Sequence, residues 1–173
     1  ALPCPLLPTF NATFVLAGCG QGGVGALAEI AQGRSATLAI TDGHGSWSVT
    51  DSGVSCKDGR LNGTAWFVQD AGKAERLLVS ARSEAGLSLY WVAADAPGIT
   101  ITPDRIVDLT RDQARVRFDG VDSAPVNDNA LPVLNAAMPA VWTLLAADVV
   151  GAAEWQLQTT IDYVNVRKQL DTP

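Results

Sequence analysis

Apolar residues in this chain fall into short runs separated by Gly, Pro, Asp and Asn, and the period of the pattern changes along its length. From Gly59 to Val121 the runs are strand-like: Thr64-Ala65-Trp66-Phe67-Val68, Arg76-Leu77-Leu78-Val79-Ser80-Ala81-Arg82, Gly86-Leu87-Ser88-Leu89-Tyr90-Trp91-Val92 and Ala114-Arg115-Val116-Arg117-Phe118. Turn residues recur about every eight to twelve positions, which predicts an all-β module. Residues 36–42 predict a strand ahead of it, followed by a turn at Gly43-His44-Gly45-Ser46 in which His44 is solvated. Residues 48–56 and 63–68 predict a hairpin around Lys57-Asp58-Gly59. Successive strand residues face opposite sides, so one of Trp66 and Phe67 is expected in the core.

Helical periodicity flanks this module. Pro3, Pro5 and Pro8 predict an extended entry. Residues 12–18 and 25–31 then read as helix, with Leu27, Ile30 and Ala31 on one face and Gly33 as the stop. Beyond residue 124, residues 127–135 read as a polar linker and Pro139 as a first-turn proline. Val141, Leu144, Leu145, Ala152, Trp155, Leu157, Ile161 and Val164 then give one long helix to about Lys168, a length that suits a bundle. The expected fold is α+β in three parts: a helical N-terminal end over 1–40, a central antiparallel β-barrel or sandwich over 41–124, and the start of a C-terminal helical bundle over 125–173.

Gly20-Gln21-Gly22-Gly23-Val24-Gly25 matches the dinucleotide-binding pattern G-x-G-x-x-G. It follows an apolar run, precedes a helix, and has Asp42 at the end of the next run. It reads either as a nucleotide-binding turn or as a loop between two short helices. No further βαβ units follow, and that favours the loop.

Composition narrows the function classes. The 173 residues are 47% hydrophobic and 17% charged, enough to bury a core. A net charge of −6 argues against nucleic acid as a partner, because phosphate binding needs clustered Lys and Arg. Three cysteines, Cys4, Cys19 and Cys56, without metal-ligand spacing argue against a zinc site or disulfide framework. The sequons at Asn11 and Asn62 lack a secretory context. No uninterrupted apolar run reaches membrane-spanning length, so no membrane span and a cytoplasmic location are expected.

The order Leu61-Asn62-Gly63, Arg76–Arg82, Gly86-Leu87-Ser88-Leu89-Tyr90-Trp91-Val92-Ala93-Ala94-Asp95-Ala96-Pro97-Gly98 and Phe118-Asp119-Gly120-Val121 resembles the middle β-domain of the acyl-CoA dehydrogenase family. The similarity continues through residues 147–154 and 162–170. It implies a flavoprotein with FAD as cofactor, which removes the α-proton and the β-hydrogen of an acyl-CoA thioester. It also implies an electron-transfer flavoprotein as acceptor and homo- or hetero-oligomers through the C-terminal helices. In the family, a Thr-Glu pair and a Gly-Ser touch flavin and ligand. Thr41-Asp42 and, loosely, Gly45-Ser46 fall there, in a shorter loop without the proline. An aromatic and a polar residue that face the flavin fall on Phe67 and Gln69. A helix-end arginine that reaches a neighbouring subunit's flavin dinucleotide falls on Arg167, with Leu170 where the family has Phe. The implied site is Thr41, Phe67, Gln69 and Arg167 for cofactor and Ser46 for substrate, with no catalytic residue in the chain. The family's base is a glutamate expected beyond Pro173, and more helix is expected before Ala1. Asp108-Leu109-Thr110-Arg111 resembles a stretch in some members but carries no site role. A family arginine near the acyl-CoA falls on Trp142. That departure points to a second reading, a non-catalytic partner subunit of a heteromeric dehydrogenase. A third, a Rossmann-type oxidoreductase, rests on Gly20–Gly25.

Overall fold

The computed structural model describes residues 4–168 apart from Trp47, Ala85, Leu109 and Thr110. Two helices open the chain, α1 (Leu6–Gly18) and α2 (Val24–Ala31), joined by a 3-10 turn at Gly20–Gly23. Helix α1 buries Pro8, Asn11, Ala12, Val15 and Leu16, a stripe at helical spacing. Pro8 sits within its first turn rather than in an extended entry. A proline costs little there, because the first N–H groups of a helix lack intrahelical partners anyway. Gly33, at φ +98°, ends α2: its N–H and that of Arg34 bond back to Ile30 and Glu29. The glycine pattern at 20–25 is therefore a tight connection between helices, and the dinucleotide-binding reading falls with it. Packing explains two of these glycines, since a Cβ on Gly22 would lie 1.9 Å from the Val126 carbonyl oxygen and one on Gly23 2.3 Å from the Leu16 carbonyl oxygen.

Among the described residues, eight strands form one open mixed sheet: β1 (Ala36–Ala39), β2 (Val54–Lys57), β3 (Arg60–Gln69), β4 (Arg76–Ser83), β5 (Gly86–Ala93), β6 (Ile99–Pro103), β7 (Gln113–Asp122) and β8 (Pro125–Asn127). The order is β6-β7-β3-β2-β4-β5-β8, with β1 against β4. The α+β class is borne out. The sheet is not a closed, wholly antiparallel barrel, because β1 and β2 both run parallel to β4. The first strand stops at Ala39, not Asp42, and β2 begins at Val54, not residue 48. The hairpin turn is as expected: Asp58 and Gly59 have φ of 51° and 75°, as a two-residue type I′ connection requires. Strands β6 and β8 have no counterpart in the sequence reading.

The middle of strand β4, residues 77–81, is buried on both faces, and apolar side chains fill it apart from Ser80. Leu77, Val79 and Ala81 join Leu61, Val68, Tyr90, Val116 and Phe118 on the sheet's inner side. Leu78 points to the helices, where it meets Leu89, Val15, Leu16, Ala130 and Leu134.

Helix α3 (Ala130–Val166) is 37 residues long, about 55 Å at 1.5 Å per residue. It already includes residues 130–135, read as linker, and it carries Pro139 in its interior. Its buried residues end at Val141. Beyond Ala146 every described residue is exposed, including Trp155, Leu157, Ile161 and Val164. By length and composition alone α3 is apolar enough to cross a membrane. Polar residues interrupt the run without making it polar on average, which a search for unbroken apolar stretches misses.

Candidate functional site

A cleft of about 310 Å³ opens where the helices meet the sheet. Its walls are Pro8 and Asn11 from α1, Thr37 and Leu38 from β1, the loop after β1, Phe67 and Gln69 from β3, Gln113 from β7, and Met138, Val141 and Leu145 from α3. None of the described residues lining it is charged.

The loop at 40–46 is held from both ends. The Trp66 N–H donates to the Thr41 carbonyl at 3.0 Å. Asp42 Oδ1 accepts from the backbone N–H groups of His44 at 3.0 Å and Ser46 at 3.3 Å, so a short acidic side chain organises the turn. The Ser46 hydroxyl accepts from the Ser48 N–H at 3.1 Å. His44 is exposed, as expected.

Phe67 owes its position to a bulge. Ala65 pairs with Val116 and Val68 with Ala114, so β3 carries one residue more than β7 over this interval. Phe67 takes φ +55°, a left-handed conformation uncommon for an aromatic residue. The bulge breaks the alternation that would have buried either Trp66 or Phe67. Trp66 is half-buried, and Phe67 is 42% exposed at the cleft wall. Their ring centroids are 6.3 Å apart. The Arg115 guanidinium lies 5.3 Å from the Trp66 centroid and is paired with Asp104. A Cβ on Gly45 would come within 3.5 Å of the Phe67 ring, so the loop and the aromatic face adjoin. The Gln69 carbonyl accepts from the Thr37 hydroxyl at 2.6 Å, which fixes the end of β3 against β1.

Thr41, Ser46, Phe67 and Gln69, separated by up to 28 positions in sequence, thus line one cleft. Arg167 does not. It follows the last turn of α3, about 33 Å along the helix from Leu145. The apolar residues that precede it on α3, Leu157, Ile161 and Val164, are exposed within this chain. Its guanidinium bonds the Tyr163 hydroxyl at 2.7 Å and lies 5.4 Å from that ring's centroid. Leu170, and the Leu109-Thr110 pair beside Arg111, lie outside the described residues; Arg111 pairs with Asp148.

Sequence reasoning missed Asn11, Gln113 and the α3 wall. Asn11 is 4% exposed, and its Oδ1 is buried with no hydrogen-bond partner among the described residues. Its position in a polar-apolar helix pattern was the only available signal, and a sequon there masked it.

No protein-family model matches the chain, and no curated protein does. Solved structures do. The Tcur3481–Tcur3483 steroid ACAD superposes with a TM-score of 0.77 at 30% identity, over 97% of this chain and 47% of that one. Glutaryl-CoA dehydrogenase from Mycobacterium smegmatis, solved with FADH2, gives 0.70 at 21% identity over 81% of this chain and 39% of its own. Butyryl-CoA dehydrogenase from Megasphaera elsdenii gives 0.70 at 18%, over 81% and 41%. Fold and motif order together place the chain with the acyl-CoA dehydrogenases. It spans less than half the length of these three matches.

Proposed function

We propose that the chain is the cofactor-holding middle of an acyl-CoA dehydrogenase-type flavoprotein, an oxidoreductase acting on an acyl-CoA thioester. The observation that carries this is Phe67: an aromatic side chain held at left-handed φ by a bulge, exposed in an uncharged cleft beside the loop at 40–46. Strained backbone of this kind persists where the surrounding structure enforces it, and it clusters at functional sites. A flat, uncharged aromatic ring with polar edges fits these walls. Bound there, FAD supplies the two-electron acceptor for α,β-dehydrogenation. Phe67 covers a ring face and excludes water. Gln69 and Thr41 offer hydrogen bonds to ring edges, and Ser46 offers one to the thioester side. None of the described residues lining the cleft is a carboxylate, so these walls bind and orient, and no proton-abstracting base is assigned among them. Arg167 is assigned to the cofactor of a neighbouring subunit in an oligomer built through α3. An electron-transfer flavoprotein is the proposed acceptor, and the cytoplasm the proposed compartment.

The test is flavin content. The full-length protein should purify with bound flavin, or take it up on reconstitution, and Gln69→Ala should lower the occupancy. A wild-type protein that holds no flavin under either condition overturns the reading.

A second reading, a non-catalytic subunit paired with an active one, is favoured by Trp142. This residue is 44% exposed next to cleft-lining Val141, where the resemblance puts an arginine close to acyl-CoA. Turnover of acyl-CoA by the purified protein alone decides against it; turnover that appears only with a co-expressed homologous subunit decides for it.

A further inference from the structure

We infer that Asn11 reads an uncharged hydrogen-bonding group, a hydroxyl or a keto oxygen, on the acyl portion of the substrate; this rests on the acyl-CoA reading above and names its substrate class. Asn11 is 96% buried, taking its 4% exposure, yet it lines the cleft, and its Oδ1 has no partner among the described residues. A buried amide oxygen without a partner is costly, so such groups in folded proteins are as a rule satisfied by something. Its neighbours on the helical side of the cleft do not satisfy it. Pro8, one turn earlier on α1, has no N–H, and Met138, Val141 and Leu145 of α3 present apolar side chains. On the sheet side, Thr37 already donates its hydroxyl to the Gln69 carbonyl.

The polar groups of the cleft are divided accordingly. Thr41, Ser46, Phe67 and Gln69 gather on the sheet and its loop, where the cofactor and thioester are assigned. The helical wall is apolar with one amide in it. An acyl group lying on that wall is mostly apolar and meets a single polar contact at Asn11. The amide presents an acceptor oxygen and two donor hydrogens, so it serves a hydroxyl or, turned about, a keto oxygen. It does not serve a carboxylate well. The described residues lining the cleft offer no cation, and a buried unpaired charge is far more costly than a buried dipole. The inferred class is therefore a neutral, predominantly apolar acyl-CoA bearing one uncharged oxygen function. Discrimination of this kind is strong because the analogue lacking the group leaves the protein's own amide unpaired.

The experiment compares binding of two saturated acyl-CoA thioesters of equal chain length, one bearing a hydroxyl on the acyl chain and one unsubstituted. Calorimetry is run on the full-length wild-type protein and on Asn11→Leu and Asn11→Ala, with flavin content and melting temperature measured in each. Hydroxyl position is scanned along the chain. Wild type should prefer one hydroxylated isomer by about tenfold or more, and both variants should lose or reverse that preference with flavin content unchanged. Equal affinities across all isomers in wild type, or a preference that survives in both variants, overturns the inference. Loss of flavin in both variants reassigns Asn11 to the cofactor and also overturns it. Because binding is read without turnover, a flavin-free wild-type protein defeats the proposed function while the preference still reports on Asn11. Melting at or above the wild-type temperature in Asn11→Leu shows that the fold is intact.

Discussion

The side-chain Oδ1 of Asn62 accepts a hydrogen bond at 2.9 Å from the backbone N–H of Gly120, which bulges out of the β3–β7 ladder. Leu61 pairs with Val121 and Asn62 with Asp119, so Gly120 has no opposite residue, and the amide of Asn62 takes up its free N–H. One residue along, the Asp119 N–H bonds the Gly98 carbonyl at 2.9 Å. The motifs Leu61-Asn62-Gly63, Ala96-Pro97-Gly98 and Phe118-Asp119-Gly120 thus meet at one corner of the sheet, away from the cleft. Asn62→Ala should cost roughly 0.5–1.5 kcal/mol, toward the low end because the site is exposed and water can replace the amide. Chemical denaturation reads the loss, and flavin per chain should not change.

Phe67→Gly and Phe67→Ala separate strain from function. A non-glycine residue in the left-handed region costs roughly 1–2 kcal/mol. Alanine keeps that cost while losing the ring; glycine removes it. The glycine variant should therefore melt above the alanine variant, the reverse of the usual order in a strand. Both should lose flavin equally. Melting curves in the usual order would show that the bulge does not strain residue 67.

Glu75 ties the start of the sheet to the helices. Its carboxylate accepts from the Ser35 N–H at 3.1 Å and pairs with Arg34 at 2.5 Å. The Ser35 N–H first, and Arg34 next, hold the Glu75 carboxyl below the ordinary 4.5. A carboxyl whose folded pKa is depressed binds its proton more weakly folded than unfolded. Its stabilisation is present above the ordinary carboxylate pKa and is lost as the pH falls from there through the lowered value. Glu75→Gln should remove that part of the acid sensitivity and leave the rest. Stability measured from neutral pH down through the carboxylate range checks it; parallel curves for both proteins would remove Glu75 from the account.

Arg167→Ala tests a contact between subunits. Within the chain the arginine touches only Tyr163 among the described residues for which a contact is seen, so the fold should not depend on it. A charge-assisted bond to a dinucleotide phosphate is worth roughly 1.5–3 kcal/mol, so flavin affinity should fall about tenfold or more while the melting temperature holds. An unchanged flavin-to-protein ratio after dialysis leaves the tyrosine contact as the whole role.

What could be read directly from the sequence was whatever local backbone chemistry dictates. Asp58-Gly59 makes a turn, and Gly33 ends a helix, because only residues tolerant of positive φ serve there. The apolar runs at 76–83 and 86–93 make strands, and their order carried the family resemblance. Thr41, Ser46, Phe67 and Gln69 were legible only through that resemblance. What tertiary structure decided was everything that depends on two distant segments meeting. The bulge at Phe67 is a mismatch of one residue between β3 and β7, and no periodicity in either strand records it. Pro139 lies inside a helix because the packing of residues 130–141 against α1 carries the helix through it. Asn11 looks like any polar residue on a surface helix until α3 covers it, and burial without a partner is a property of the assembled walls rather than of residue 11.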